Sequence, residues 1–169
     1  MPRDRELIQI IDTALADAAR KAGRWLVCRP GCCECCLGPF SITAADAARL
    51  REGLAELDAH DARRADRVRS RAGALLDRLR GGLAEEDEPC PALDPESGTC
   101  DLYQARPITC RTFGPPVRCA DGGVAICELC FDGASEEEIA ACTVDLDVSA
   151  LLDDAGETTV ALALAAFKP

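Results

Sequence analysis

A chain of 169 residues carrying a net charge of -11 and twelve cysteines is long enough to bury one hydrophobic core. It lacks the excess of Lys and Arg that a nucleic-acid backbone requires. Aromatic residues make up only 4%, so the core must come from Leu, Ile, Val and Ala, which favours helices over a β-sandwich.

The first residues, Met1-Pro2-Arg3-Asp4-Arg5-Glu6, carry early acids and no apolar run, unlike a secretory signal or transit peptide. No segment has the length of a membrane span; Val160 to Phe167 comes closest and is too short. The expectation is a cytoplasmic protein with reduced thiols, without nucleic acid or membrane as partner.

Leu7, Ile11, Leu15 and Ala18 repeat at helical spacing, which predicts an amphipathic helix over 3–22, ended by Gly23. A Pro/Gly-containing loop follows from Cys28 to about Phe40. Thr43 and Asp46 form an N-terminal capping pair, opening a helix with Ala47, Leu50, Leu54 and Leu57 on one face. A second helix is expected over 61–80, with Val68, Ala72, Leu75, Leu76 and Leu79 inward and arginines outward; Gly81-Gly82 stops it. Between Arg63 and Arg80 seven arginines face two acids, which reads as a solvated helix surface or as a basic face for an acidic partner or for the chain's own acidic tail. Glu85-Glu86-Asp87-Glu88 reads as a solvated connector.

From Cys90 to Cys130 helical periodicity disappears, apart from a short strand expected near Val124 to Cys127. So long an irregular stretch needs a cross-link, and a metal site is the simplest one. Ser135 with Glu138 forms a second capping box, and short helices are expected at 135–141, 147–154 and 157–167. The fold class is thus mainly α: a small single domain with a metal-binding core over 28–131, an N-terminal helix, a helical insertion over 43–82 and C-terminal helices over 135–167. Helices frame irregular, metal-stapled, Cys-rich loops.

The cysteines fall into two clusters: Cys28, Cys32, Cys33, Cys35 and Cys36, then Cys90, Cys100, Cys110, Cys119, Cys127 and Cys130. Cys32-x-x-Cys35 and Cys127-x-x-Cys130 have the two-residue gap that lets a turn aim two sulfurs at one ion. Cysteines among Gly, Pro and charged neighbours have little core to join, and adjacent cysteines such as Cys35 and Cys36 are poorly placed to bridge each other. Cys142, inside a helical pattern, reads as a core residue, and the only histidine, His60, as a surface one. An all-sulfur site suits zinc or an iron–sulfur cluster. Arg29, Arg106, Arg111 and Arg118 stand beside the cysteines and could offset thiolate charge.

Cys28-Arg-Pro-Gly-Cys32-Cys-Glu-Cys35-Cys36, together with Cys100-Asp-Leu-Tyr103-Gln-Ala-Arg106-Pro107-Ile-Thr-Cys110-Arg111, resembles the YkgJ-type cysteine-cluster family. That family is described as a zinc- or iron-chelating or iron–sulfur domain and is related to flagellin lysine N-methylases. The resemblance spans Cys28 to Phe131 and implies Cys28, Cys32, Cys35, Cys36, Cys90, Cys100 and Cys110 as metal ligands. Cys127 and Cys130 look like an addition, whereas Cys33 and Cys119 fall off the motif. Tyr103 could anchor its loop by ring packing and a hydroxyl hydrogen bond.

The functions that follow are a carrier of an iron–sulfur cluster (favoured) or zinc, serving electron transfer, sensing or structure, with a protein partner open. A cluster-dependent protein-modifying enzyme, a zinc-stabilised interaction module and a thiol redox protein are the alternatives. No glycine-rich nucleotide loop supports an enzyme, and no βαβ pattern surrounds either Cys-x-x-Cys.

Overall fold

Among the described residues, helices carry most of the ordered backbone, and strands occur only as two-residue pairs. The structure, a computed structural model, describes residues 2–85, 87–119, 121–146 and 158–165. The helix expected over 147–154 and the ends of that over 157–167 lie outside the described residues. Two compact units divide the chain: Met1–Arg29 with Ile108–Asp153, and Pro30–Pro107 with Asp154–Pro169. No helix among the described residues is long and apolar enough to cross a membrane.

In the first unit, α1 (Pro2–Ala22) buries Ile11, Leu15, Ala18 and Ala22 at the spacing of its apolar residues. Ile11, Leu15 and Ala18 pack with Ile108, Val117 and Val144, while Ala22 packs with Cys130, Phe131 and Cys142. Gly23, at φ +50°, ends the helix as expected and turns the chain into a 3-10 segment. Among its described residues two further helices follow, α4 (Ile108–Arg111) and α5 (Glu136–Cys142). The Ser135/Glu138 capping box is formed in both directions. Strand β4 (Val117–Arg118) pairs antiparallel with β5 (Val124–Ala125), where a strand was expected.

The second unit holds the larger core. Helices α2 (Ala44–His60) and α3 (Ala62–Arg80) follow one another, and α6 (Val160–Ala165) packs on both. Leu50, Leu54, Ala65, Val68, Ala72 and Leu164 are buried together. Thr43 and Asp46 close their capping box at the start of α2, and Asp61 caps α3. Strand β1 (Ser41–Ile42) pairs antiparallel with β6 (Thr158–Thr159), seating the start of α6 beside that of α2. Strands β2 (Leu93–Asp94) and β3 (Thr99–Cys100) form a hairpin that no period in so short a segment announces.

Three expectations for the second unit are corrected. Leu79, in the last turn of α3, is 38% exposed rather than inward. The arginines of α3 are not all solvated: Arg64, Arg69, Arg71 and Arg78 sit in ion pairs. Glu88 is buried rather than part of a solvated connector, because the Arg78 guanidinium grips both its carboxylate oxygens, at 2.7 and 2.6 Å.

Candidate metal centre

All twelve cysteines stand outside disulfides, so the thiols themselves remain to be explained. Within the second unit, the Cys32–Cys36 loop and the Glu88–Cys100 segment are stitched together by backbone. The Cys90 N–H donates to the Cys36 carbonyl at 2.7 Å, and the Gly38 N–H to the Glu88 carbonyl at 2.8 Å, around a Leu37–Pro89 bridge. Cys35 and Cys36 sit in a 3-10 turn (Glu34–Cys36) closed by the Cys36 N–H on the Cys33 carbonyl. The Leu93 N–H donates to the Cys90 carbonyl, and Leu93 pairs with Cys100 in the hairpin.

Cys36 is thereby brought within electrostatic reach of Cys35, Cys90 and Cys100, and Cys100 within reach of Cys35 and Cys90. A close glycine contact adds Cys32's segment to this assembly. At Gly98, whose φ is +65°, a Cβ would lie 3.0 Å from the Gly31 carbonyl oxygen, so the chain beside Cys32 rests on the hairpin turn before Cys100.

Electrostatics separate the four. A hydrogen bond from the Cys36 thiol, assisted by the Arg106 charge, lowers Cys35 to about 6. The same bond, with burial and the neighbouring thiols, pushes Cys36 up. Burial raises Cys90 to about 11 and also raises Cys100. One thiolate in the group is thus accessible at neutral pH, while the others need a cation to stabilise their charge.

Arg106 serves the counter-ion role expected of it, lowering both Cys35 and Cys100. It also covers the face of Tyr103 at 3.5 Å. Tyr103 itself is 55% exposed, so its ring supports a guanidinium and is not packed into a core. Arg111 behaves differently: buried, it donates from Nη1 to both Asp12 carboxylate oxygens at 2.7 Å. That pair fastens α4, which carries Cys110, to α1.

In the first unit, Cys127 and Cys130 share a turn closed by the Cys130 N–H on the Cys127 carbonyl, and the Phe131 N–H donates to the Trp25 carbonyl at 2.9 Å. Phe131 adopts φ +61°, and Cys130 is buried beside it with Cys142 and Ala22. The Cys28 sulfur touches the turn after α4, 3.2 Å from where a Cβ on Gly114 would stand. Cys119 is exposed beside a tight turn to Gly123. Cys142 is buried, and His60 is exposed on α2, as expected.

As the side chains stand, no three His, Cys, Asp or Glu groups among the described residues converge as they would around an ion. The donor chemistry nevertheless fits one: clustered thiols with no histidine suit the thiophilic ions, zinc and iron. The class these features define is a thiol-rich domain on a helical frame, with donors suited to a thiophilic metal. A family model, CxxCxxCC, described as "Putative zinc- or iron-chelating domain", matches residues 27–131, well over half of the chain. The chain belongs to that family. Of the spacing in the family's name it carries Cys32-x-x-Cys35-Cys36, with Cys28 one residue further away. No curated protein and no solved structure matches it.

Proposed function

We propose that this protein carries an iron–sulfur cluster, or else zinc, on thiolates drawn from Cys28, Cys32, Cys35, Cys36, Cys90, Cys100, Cys110, Cys127 and Cys130. The observation that carries this reading is that backbone bonds hold the turn of Cys35 and Cys36 against the hairpin segment of Cys90 and Cys100. Half-buried thiols whose pKa values are raised, as at Cys36, Cys90 and Cys100, are costly to ionise unless a cation shares them. Resident metal would supply thiolate-bound charge, and for a cluster a one-electron redox centre. The chain's own residues hold the thiols in reach, and Arg106 offsets part of their charge.

Elemental analysis of anaerobically purified protein decides the metal. A brown protein with iron and acid-labile sulfide is the expected result; a colourless one with stoichiometric zinc would replace iron by zinc in this reading. Protein that folds fully without either metal would end it. Among variants, Cys36→Ser and Cys110→Ser are expected to lose metal, whereas Cys142→Ser keeps it; equal metal content in all three would refute the ligand set.

A further inference from the structure

Arg64, Arg71 and Arg78 stand seven residues apart on α3. Seven residues is close to two helical turns, so the three share one face. Each grips the segment that carries Cys90 and Cys100. Arg78 holds both oxygens of Glu88, two residues before Cys90. Arg71 donates from Nε to the Pro91 carbonyl at 2.8 Å and from Nη2 to Asp101. Arg64 takes the other Asp101 oxygen at 2.5 Å. The Asp101 carboxylate is 1% exposed, and its N–H donates to the Ala92 carbonyl at 2.7 Å.

Asp101 and Pro91 are the immediate neighbours of the two cysteines, so one guanidinium spans the residues that follow Cys90 and Cys100. A solvated basic face would leave these groups pointing to water. Here they are committed to acceptors inside their own unit, with a planar fork suited to two acceptors at fixed separation.

Resting on the metal reading above, we propose that the Arg64–Arg71–Arg78 face of α3, acting through Asp101, Pro91 and Glu88, positions the Cys90 and Cys100 thiols for metal. These are positioning residues: none of them is a ligand. The segment of seven arginines is accounted for in part by this role, and metal retention becomes coupled to the integrity of α3.

The test compares Arg71→Met and Asp101→Asn with two controls on α3 in the full-length, anaerobically purified protein. Leu75→Ala shortens a buried apolar side chain that lines a small cavity with Cys90 and Pro91 but gives no hydrogen bond to the cysteine segment, so it separates packing from the polar grip, and Arg67→Gln alters an exposed residue. Two readouts are taken: the EDTA concentration that strips half the resident iron or zinc, and the visible spectrum after loading with Co2+.

Arg71→Met and Asp101→Asn are expected to lose metal at about 10- to 100-fold lower EDTA, as for other groups that orient ligands, and to show an altered Co2+ spectrum. Leu75→Ala should unfold more easily yet, while folded, keep the wild-type spectrum; Arg67→Gln should match wild type. Loss of metal in Leu75→Ala equal to that in Arg71→Met, or wild-type retention in Arg71→Met, would overturn the proposal. Should the wild-type protein carry no metal and take up no Co2+, the metal reading falls, and alkylation of the reduced proteins decides the positioning role. Faster labelling of Cys90 and Cys100 in Arg71→Met, with Cys35 unchanged, supports it; unchanged labelling of all three defeats it.

Discussion

The segment from Glu88 to Asp101 and the segment from Cys119 to Phe131 both carry candidate ligands on little regular structure, yet their supports differ in kind. The first is clamped by buried or half-buried ion pairs from α3 and stitched by backbone to the Cys35–Cys36 turn. The second rests, among the described residues, on a two-residue strand pair, a turn, one backbone bond to Trp25 and the packing of Cys130 and Phe131 on Ala22 and Cys142. Its nearest ion pair, Arg118 with Asp145, is largely exposed, at 46% and 73%. Exposed pairs contribute about 0–1 kcal/mol, whereas a partner buried like Asp101 leaves unpaired charge behind when its pair is broken. One segment is held by ion-pair clamps, and the other, among the described residues, is held by apolar packing and backbone bonds. Metal should therefore matter more to the order of the second.

Metal removal tests this contrast with the largest expected effect. Stripping the protein with chelator under reducing conditions should raise backbone amide exchange over 121–131 by about 100-fold or more, the behaviour of a segment released to local opening. Amides over 90–101 should change far less. Equal loss of protection in both segments, followed by mass spectrometry, would erase the distinction.

Next in size is the buried carboxylate. Asp101→Ala should lower unfolding free energy by about 3 kcal/mol, toward the low end for a broken buried pair because Arg64 and Arg71 retain some access to water. Asp145→Ala should cost at most about 0.5 kcal/mol. Urea titrations of both variants measure the difference, and similar midpoints would show that burial does not set the worth of these pairs.

Much of the helical frame was legible in the sequence, and the reason is local. The apolar spacing of α1, α2 and α3, the Thr43 and Ser135 capping boxes and the core placement of Cys142 each depend on residues within a few positions of one another. What escaped depends on partners far along the chain. The α3 arginines read as solvated because the acids that claim three of them, Glu88 and Asp101, lie beyond the helix's end. The seven-residue step of Arg64, Arg71 and Arg78 was the one available signal. The β2–β3 hairpin is too short to show alternation, and Tyr103 read as an anchor because only the fold shows that Arg106 lies across its face. The cysteine motif was legible as chemistry; which thiols meet in one unit was not, since Cys90 and Cys100 reach Cys35 and Cys36 only through that hairpin and the Leu37–Pro89 bridge.

A smaller effect is expected at Gly53 on α2. A Cβ there would sit 2.4 Å from the Ala105 Cβ, in the 3-10 segment between Cys100 and Arg106. Gly53→Ala gains about 1 kcal/mol of helix propensity but must push Ala105 away, an overpacking cost of about 1–3 kcal/mol. A net destabilisation of about 1 kcal/mol is expected in thermal melts, with Arg49, which also bonds the Arg106 carbonyl, displaced. A rise in melting temperature would show that the approach of α2 to this segment is slack.

The smallest effect is the pH dependence of thiol reactivity in the reduced, metal-free protein, which sharpens the contrast inside the clamped region. Cys35 is lowered to about 6 by the Cys36 hydrogen bond, and Cys90 raised to about 11 by burial. Only thiolate reacts, so the iodoacetamide rate at Cys35 should climb about tenfold per pH unit below pH 6 and level off above it. At Cys90 it should still be rising at pH 9. At neutral pH the thiolate populations differ by more than a thousandfold. The more basic thiolate is intrinsically the better nucleophile, which offsets about half of that difference on a logarithmic scale. About a 30- to 100-fold faster labelling of Cys35 is the net expectation, read by mass spectrometry of quenched time points. In Cys36→Ala the plateau at Cys35 should move to higher pH, because the donor that stabilises its thiolate is gone. A profile unmoved by that substitution would mean that some other group lowers Cys35, and the pairing of these two thiols would no longer explain which of the four is ionised first.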